Sequence, residues 1–146
     1  MKFSTRCEVD APAEDAFAAF ADFGRYVRRA EARGATVRVL DAPVFAWTAG
    51  FDWNGKAREL AGEVTRFDPP RGFLAELRAG GLEGTLELDV TEVDAARSRV
   101  RVAMEWRPVT MPGRILLQSL KLVKGRLDDR FAARVAEFAA GVGPVA

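Results

Sequence analysis

The chain has 146 residues, with 22 basic residues against 21 acidic ones and 49% apolar residues. This composition predicts one folded domain over residues 1–146, and the net charge of +1 excludes the strongly basic surface typical of nucleic-acid binding. The absence of histidine and the single cysteine, Cys7, exclude histidine-dependent triads, an internal disulfide and a thiolate metal cluster, so we expect no metal and no cofactor.

The first third of the chain is predicted to form one strand and two short helices. Residues 2–10 alternate between polar and apolar side chains, which is typical of a half-buried strand. A short helix follows and breaks near Gly24, and a second helical segment runs over residues 25–32.

From Thr36 onward the apolar pattern has a period of two, which predicts consecutive antiparallel strands. After a first short strand, the stretch VFAWTAGFDWNGK places Phe45, Trp47, Phe51 and Trp53 on one face of a long strand. The pair Asn54-Gly55 predicts a tight hairpin turn. The remaining strands are predicted over residues 56–67, 73–78, 82–93 and 98–107.

A long amphipathic helix is predicted over residues 114–140. Its apolar stripe comprises Leu116, Leu120, Val123, Leu127, Phe131, Val135 and Phe138. Ile115 and Leu122 lie off that stripe. Since a sheet that is apolar on one face must be covered, we expect an α+β fold in which a curved antiparallel sheet of about seven strands surrounds this helix.

Neither a signal peptide nor a transmembrane segment is predicted. The first residues, MKFSTRCEVDAP, contain no apolar run of the signal-peptide kind. No apolar run approaches the roughly 18 residues that cross a bilayer. The expected location is the cytoplasm.

Three segments resemble the START-like (SRPBCC) superfamily. They are VDAPAEDAFAAFADFGRY (9–26), GEVTRFDPPRG (62–72) and RILLQSLKLVKGRLDDRFAARVAEF (114–138). Members of this superfamily include polyketide cyclase/dehydrase-like proteins, birch-pollen-allergen-like proteins and the G-type subunit of carbon monoxide dehydrogenase. The resemblance covers essentially the whole chain. It implies a helix-grip fold with an internal cavity between the sheet and the C-terminal helix.

The resemblance implies three kinds of function. The first is binding or transport of a small hydrophobic molecule that is lipid- or polyketide-like. The second is an enzyme similar to polyketide aromatase/cyclases or dehydratases. The third is an assembly or interaction protein similar to the G-type subunit of carbon monoxide dehydrogenase, although this sequence ends at GVGPVA without that pattern's apolar anchor. We favour binding over catalysis. The oligomeric state is left open, with a homodimer as one alternative.

The residues expected to line the cavity are large apolar side chains on inward strand positions, with a few polar ones. They are Trp47, Phe51, Trp53, Arg58, Val64, Leu88, Met104, Trp106, Leu120 and Lys124.

Arg58 and Glu76 are the weak candidates for chemistry. Arg58 shares a strand face with Leu60 and Val64, and is therefore expected to point inward. The face of Glu76 is ambiguous, because Leu74 shares it while other apolar residues occupy the opposite face. If Glu76 points inward, the two charges can pair, with Arg58 binding a carboxylate or enolate and Glu76 acting as a base. In the other interpretation both charges reach solvent.

Overall fold

The structure is a computed structural model that describes residues 1–53 and 55–142. Seven strands form one antiparallel sheet in the order β1-β7-β6-β5-β4-β3-β2. The elements are β1 (Lys2–Val9), α1 (Ala13–Phe20), α2 (Phe23–Ala32), β2 (Thr36–Leu40), β3 (Phe45–Trp53), β4 (Lys56–Asp68), β5 (Gly72–Ala79), β6 (Leu82–Asp94), β7 (Arg97–Pro108), α3 (Met111–Lys121) and α4 (Lys124–Ala140). The predicted fold class is confirmed. The predicted turn residue Asn54 lies outside the described residues.

The strand register gives the sheet one apolar face and one charged face. Paired residues in an antiparallel ladder lie on the same face, and Val64 pairs with Ala75 while Leu88 pairs with Val102. These four residues are at most 8% exposed and define the inner face. On the outer face, the guanidinium of Arg101 contacts the carboxylates of Glu87 and Asp89 at 3.1 and 3.0 Å. The sheet therefore buries one side only, as its alternating sequence predicts.

The helix α1 closes one end of the inner face. Its buried residues are Ala16, Phe17 and Phe20, and the Phe20 ring lies 4.7 Å from that of Phe138 on α4. The buried hydroxyl of Ser98 donates a hydrogen bond of 3.0 Å to the Ala11 carbonyl, which fixes the segment leading into the helix. At this end the inner face is covered by packed, buried side chains.

The helix α2 begins at Phe23, two residues before the predicted start. The Asp22 side chain accepts a hydrogen bond from the Arg25 amide at 3.2 Å and so caps the helix. The Phe23 ring stacks on Phe45 at 5.1 Å and meets Phe73 edge-on at 5.2 Å. These contacts hold α2 over the inner face of the central strands.

The C-terminal helix is divided, whereas the sequence predicts one helix over residues 114–140. It is interrupted at Leu122 and Val123, between α3 and α4. The two parts have different neighbours, since α3 packs against β7 while α4 packs against β1. Along α4 the Phe131 ring lies 5.9 Å from Phe3. No helix within residues 1–53 and 55–142 is long and apolar enough to cross a membrane.

Candidate functional site

An apolar cavity of about 260 Å³ lies between α2 and the inner face of strands β2 to β6. Its wall is formed by Phe23, Tyr26, Val27, Ala30, Val37, Phe45, Trp47, Ala49, Leu60, Val64, Phe73, Ala75 and Leu86. The space is partly open to solvent and is lined almost entirely by hydrocarbon, which is the usual form of a small-molecule site.

One side of the cavity is the inward face of α2. Phe23, Tyr26, Val27 and Ala30 occupy positions i, i+3, i+4 and i+7, which is the spacing of one helix face. None of the four was among the residues predicted to line a cavity. The signal was present in the sequence, but the arginines interleaved with these residues marked the segment as a charged surface helix.

A glycine on β4 makes room for the largest side chain in the wall. Gly62 lies opposite Trp47 in the ladder, and a Cβ atom at Gly62 would overlap the indole ring. The ring therefore lies directly over Gly62 on β4. The absence of a side chain at Gly62 is what gives the indole its place on this face.

The wall contains one titratable side chain, Tyr26. Its hydroxyl donates a hydrogen bond of 2.7 Å to the Phe20 carbonyl, and burial raises the pKa of the phenol to about 12. Cys7, which is also on the inner face of the sheet, has a thiol whose pKa is likewise raised by burial. Both groups stay protonated at neutral pH, so neither supplies a base or a nucleophile there.

Arg58 lies on the inner face of β4, two residues from the wall residue Leu60 and thus about 7 Å along the strand. Its guanidinium lies 5.0 Å from the centre of the Trp53 ring. Its Nε atom is buried and has no hydrogen-bond partner among the described residues. A buried cationic N–H group without an acceptor is costly, so this group is suited to an anion supplied from outside the chain.

The pairing of Arg58 with Glu76 does not form. Glu76 lies opposite Glu63 on the outer face, whereas its neighbours Ala75 and Leu77 point inward. The face of Glu76, which the sequence left ambiguous, is the outer one. The period-two pattern did not determine it because Leu74, an apolar residue, also lies on the outer face.

Two of the ten predicted lining residues, Trp47 and Val64, belong to the cavity wall. The other eight lie elsewhere: Phe51, Trp53, Arg58, Leu88, Met104, Trp106, Leu120 and Lys124. Leu88 is core at 2% exposed, and the Lys124 ammonium contacts Asp128 at 2.9 Å. The resemblance implied a cavity under the C-terminal helix. In the structure the cavity lies under α2 instead.

A second, larger groove of about 580 Å³ lies on the outer face of the sheet. It is lined by charged side chains, including Glu63, Glu76 and Glu105. Some of its charges are paired within the chain, as between Arg107 and Glu83 at 2.7 Å. This groove is a solvated charged surface and differs in character from the apolar cavity.

No protein-family model matches the chain, and no curated protein matches it in sequence. Solved structures do match. An aromatase/cyclase from a Streptomyces species superposes with a TM-score of 0.65 at 16% identity, covering 90% of each chain. A START superfamily protein from Mycobacterium smegmatis gives a TM-score of 0.58 at 13% identity, covering 92% of this chain and 99% of the other.

A norcoclaurine synthase variant from Thalictrum flavum, in complex with a transition-state analogue, gives a TM-score of 0.60 at 11% identity. The superposition covers 95% of this chain and 93% of that one. At such identities the likeness concerns the fold, and it extends over nearly the full length of both chains. The chain has the fold of the START-like (SRPBCC) proteins.

Proposed function

We propose that the protein binds a small, mostly apolar molecule that carries one anionic group. The observation that supports this most strongly is the cavity under α2, whose wall is hydrocarbon apart from the Tyr26 hydroxyl and the Trp47 indole N–H. Apolar cavities tend to stay dry and to accept apolar guests. The site is therefore suited to a hydrophobic ligand.

The size of the cavity sets the scale of the interaction. A ligand that buries roughly 250 Å² of apolar surface gains about 6 kcal/mol at about 25 cal/mol per Å², before the cost of association. Micromolar affinity corresponds to about 8 kcal/mol. Apolar contact alone therefore falls short of this value, and a charged hydrogen bond supplies part of the difference.

Arg58 is the group that we assign to this bond. It lies on the same face of β4 as Leu60, and its Nε atom is buried without an acceptor among the described residues. The Trp53 ring against the guanidinium limits its movement. A carboxylate or a similar anion at the Leu60 end of the cavity would satisfy the free N–H group.

Catalysis is not part of the proposal. One structural neighbour is an aromatase/cyclase, and enzymes of that kind need polar groups that move protons. Here the carboxylate expected to act as a base, Glu76, lies on the opposite face of the sheet from Arg58. The arrangement supports holding a ligand more directly than transforming one.

Native mass spectrometry of the protein purified from its own host tests for an occupied cavity. We expect an adduct that solvent extraction recovers as an apolar acid. A mass equal to that of the bare chain, together with failure to bind an uncharged polarity-sensitive dye, would show that the cavity does not take up apolar molecules and would overturn the proposal.

Calorimetric titration with octanoate and with octanol at pH 7 tests the assignment of Arg58. We expect the acid to bind at least about tenfold more tightly, because a hydrogen bond to a charged group contributes about 1.5–3 kcal/mol. Arg58→Met should remove the difference while leaving octanol binding intact. Arg38→Met, on the outer face of β2, is the matched control. Equal affinities in the unsubstituted protein would refute the role of Arg58 but not the cavity.

A further inference from the structure

The helix α3 and the residue that ends it, Leu122, whose backbone is still helical, expose apolar side chains on the side that faces away from the sheet. Met111, Ile115 and Leu122 are 68%, 60% and 88% exposed, while Gly113 and Leu117 are buried. Positions 111, 115 and 122 fall on one side of a helix, and we call these three residues the exposed row. A surface helix ordinarily presents polar side chains on this side, so three large apolar ones indicate a contact surface.

Positive charge accompanies the exposed row. The helix α3 contains Arg114 and Lys121 and no carboxylate, and residues 109–126 contain four basic residues and no acidic one. The helical positions of Arg114 and Lys121 place both on one flank of the row. Because the whole chain has a net charge of only +1, this segment is locally much more positive than the protein as a whole.

The start of α3 lies at the end of the sheet where the β3–β4 hairpin projects. The Val109 amide donates a hydrogen bond of 2.9 Å to the Gly81 carbonyl in the β5–β6 turn. The pair Leu60–Ala79 is the last one between β4 and β5 before the β5–β6 turn. The β4 strand continues past it and pairs with β3 as far as Lys56, so the β3–β4 hairpin extends beyond that turn. Further apolar side chains, among them Trp53 at 42% exposed, are therefore found at this end.

We propose that the exposed row and its flanking cations bind the surface of an anionic lipid bilayer. The row would enter the boundary between headgroups and acyl chains, and Arg114 and Lys121 would reach the lipid phosphates. An anionic membrane complements both features, the apolar row and the missing carboxylates. This inference goes beyond ligand binding, because the surface is separate from the cavity wall.

Other occupants fit less well. In a symmetric antiparallel contact between two copies, the cations of the two α3 helices would lie on the same side of the contact, which is unfavourable. The row offers on the order of 300 Å² of apolar surface, whereas a stable protein interface buries about 800 Å² on each partner. A bilayer has no such minimum, since the strength of binding scales with the buried apolar area and the attraction to anionic lipids.

The test is sedimentation of the full chain with vesicles of phosphatidylcholine alone and of phosphatidylcholine mixed with phosphatidylglycerol. We expect binding to the mixed vesicles only, weakening as salt is added. The double variant Arg114→Gln, Lys121→Gln should weaken binding about 30-fold, at about fivefold for each cation. The double variant Ile115→Ser, Leu122→Ser should weaken it about tenfold or more.

Matched controls separate this surface from general attraction. Arg6→Gln, Arg38→Gln removes the same charge from exposed positions on the outer face, and Val93→Ser removes an apolar side chain from the opposite end of the sheet. Neither should change binding by more than about twofold. Equal loss in the control pair, or no binding to mixed vesicles at low salt, would overturn the proposal. So would a dimer in sedimentation velocity that Ile115→Ser, Leu122→Ser abolishes, because the row would then be a protein interface.

Discussion

At the scale of single residues, the shape of the cavity depends on the contact between Trp47 and Gly62. Gly62→Ala adds a methyl group where the indole lies, so the ring must rotate into the cavity. We expect a loss of about 1–3 kcal/mol in the free energy of unfolding and weaker binding of an uncharged dye. Urea denaturation and dye fluorescence measure the two effects.

The matched control is Gly125→Ala on α4, where an added Cβ meets no atom within 4 Å. This change should stabilise the protein by up to about 1 kcal/mol and leave dye binding unchanged, because alanine is the better helix former. If Gly62→Ala behaved like this control, the contact between Trp47 and Gly62 would not shape the cavity.

Tyr26 gives the folded protein a specific response to alkaline pH. Burial raises the pKa of the phenol from 10.0 to about 12, so the native state holds this proton more tightly than the unfolded state does. The resulting stabilisation is complete below pH 10 and is lost as the pH rises toward 12. Because Tyr26 is the only tyrosine in the chain, tyrosinate absorbance follows this group alone. We expect a native titration midpoint well above that of the protein in urea, and coincident midpoints would contradict the burial of the phenol.

Residue positions were predictable where strand alternation was unambiguous. On β4 Leu60 and Val64 share one face while Glu59 and Glu63 share the other, and Arg58 lies on the inner face with Leu60 and Val64 as expected. On β5 both faces carry apolar side chains, so the pattern did not determine the face of Glu76. Only the register with β4, a long-range property of the sheet, decides it.

At the scale of elements, α2 serves as the cover of the cavity, and its stability depends on its first turn. Asp22→Ala removes the side chain that accepts the hydrogen bond from the Arg25 amide. We expect the unfolding free energy to fall by about 1 kcal/mol and the α2 amides to exchange hydrogen faster. Asp41→Ala, at an exposed loop position, is the control and should change neither quantity. Unchanged exchange in α2 would show that the cap does not hold the helix in place.

The sequence predicted the positions of the helices better than it predicted which parts of the sheet they pack on. The apolar stripe of the C-terminal helix continues through residues 116–138, which is why one helix was expected. The helix is interrupted at Leu122 and Val123 and its two halves pack on different strands, which the apolar stripe by itself does not indicate. Conversely, the face of α2 had a regular pattern of apolar residues, but its arginines obscured it.

At the scale of the whole molecule, the position of the cavity follows from how α4 fills the sheet. Phe131 packs against Phe3, and Val135 and Ala139 join the buried core, so the inner face beneath α4 is occupied. The remaining part of the inner face is covered by α2, which is shorter and leaves a gap. The resemblance to a known fold predicted that a cavity exists, but which helix lies over it depends on side-chain volumes across the whole sheet.

Because the cavity is a gap in the packing of the whole domain, a side chain that fills it should raise the stability of the protein and weaken ligand binding. Ala30→Leu on α2 adds a larger side chain at the wall and fills part of the void. We expect the unfolding free energy of the ligand-free protein to rise by about 0.5–2 kcal/mol and the thermal shift caused by octanoate to vanish. Ala133→Leu, at an exposed position on α4, should leave the octanoate shift intact. A variant that kept the full shift would place the ligand outside this cavity, since a bound molecule and a leucine side chain cannot occupy the same space.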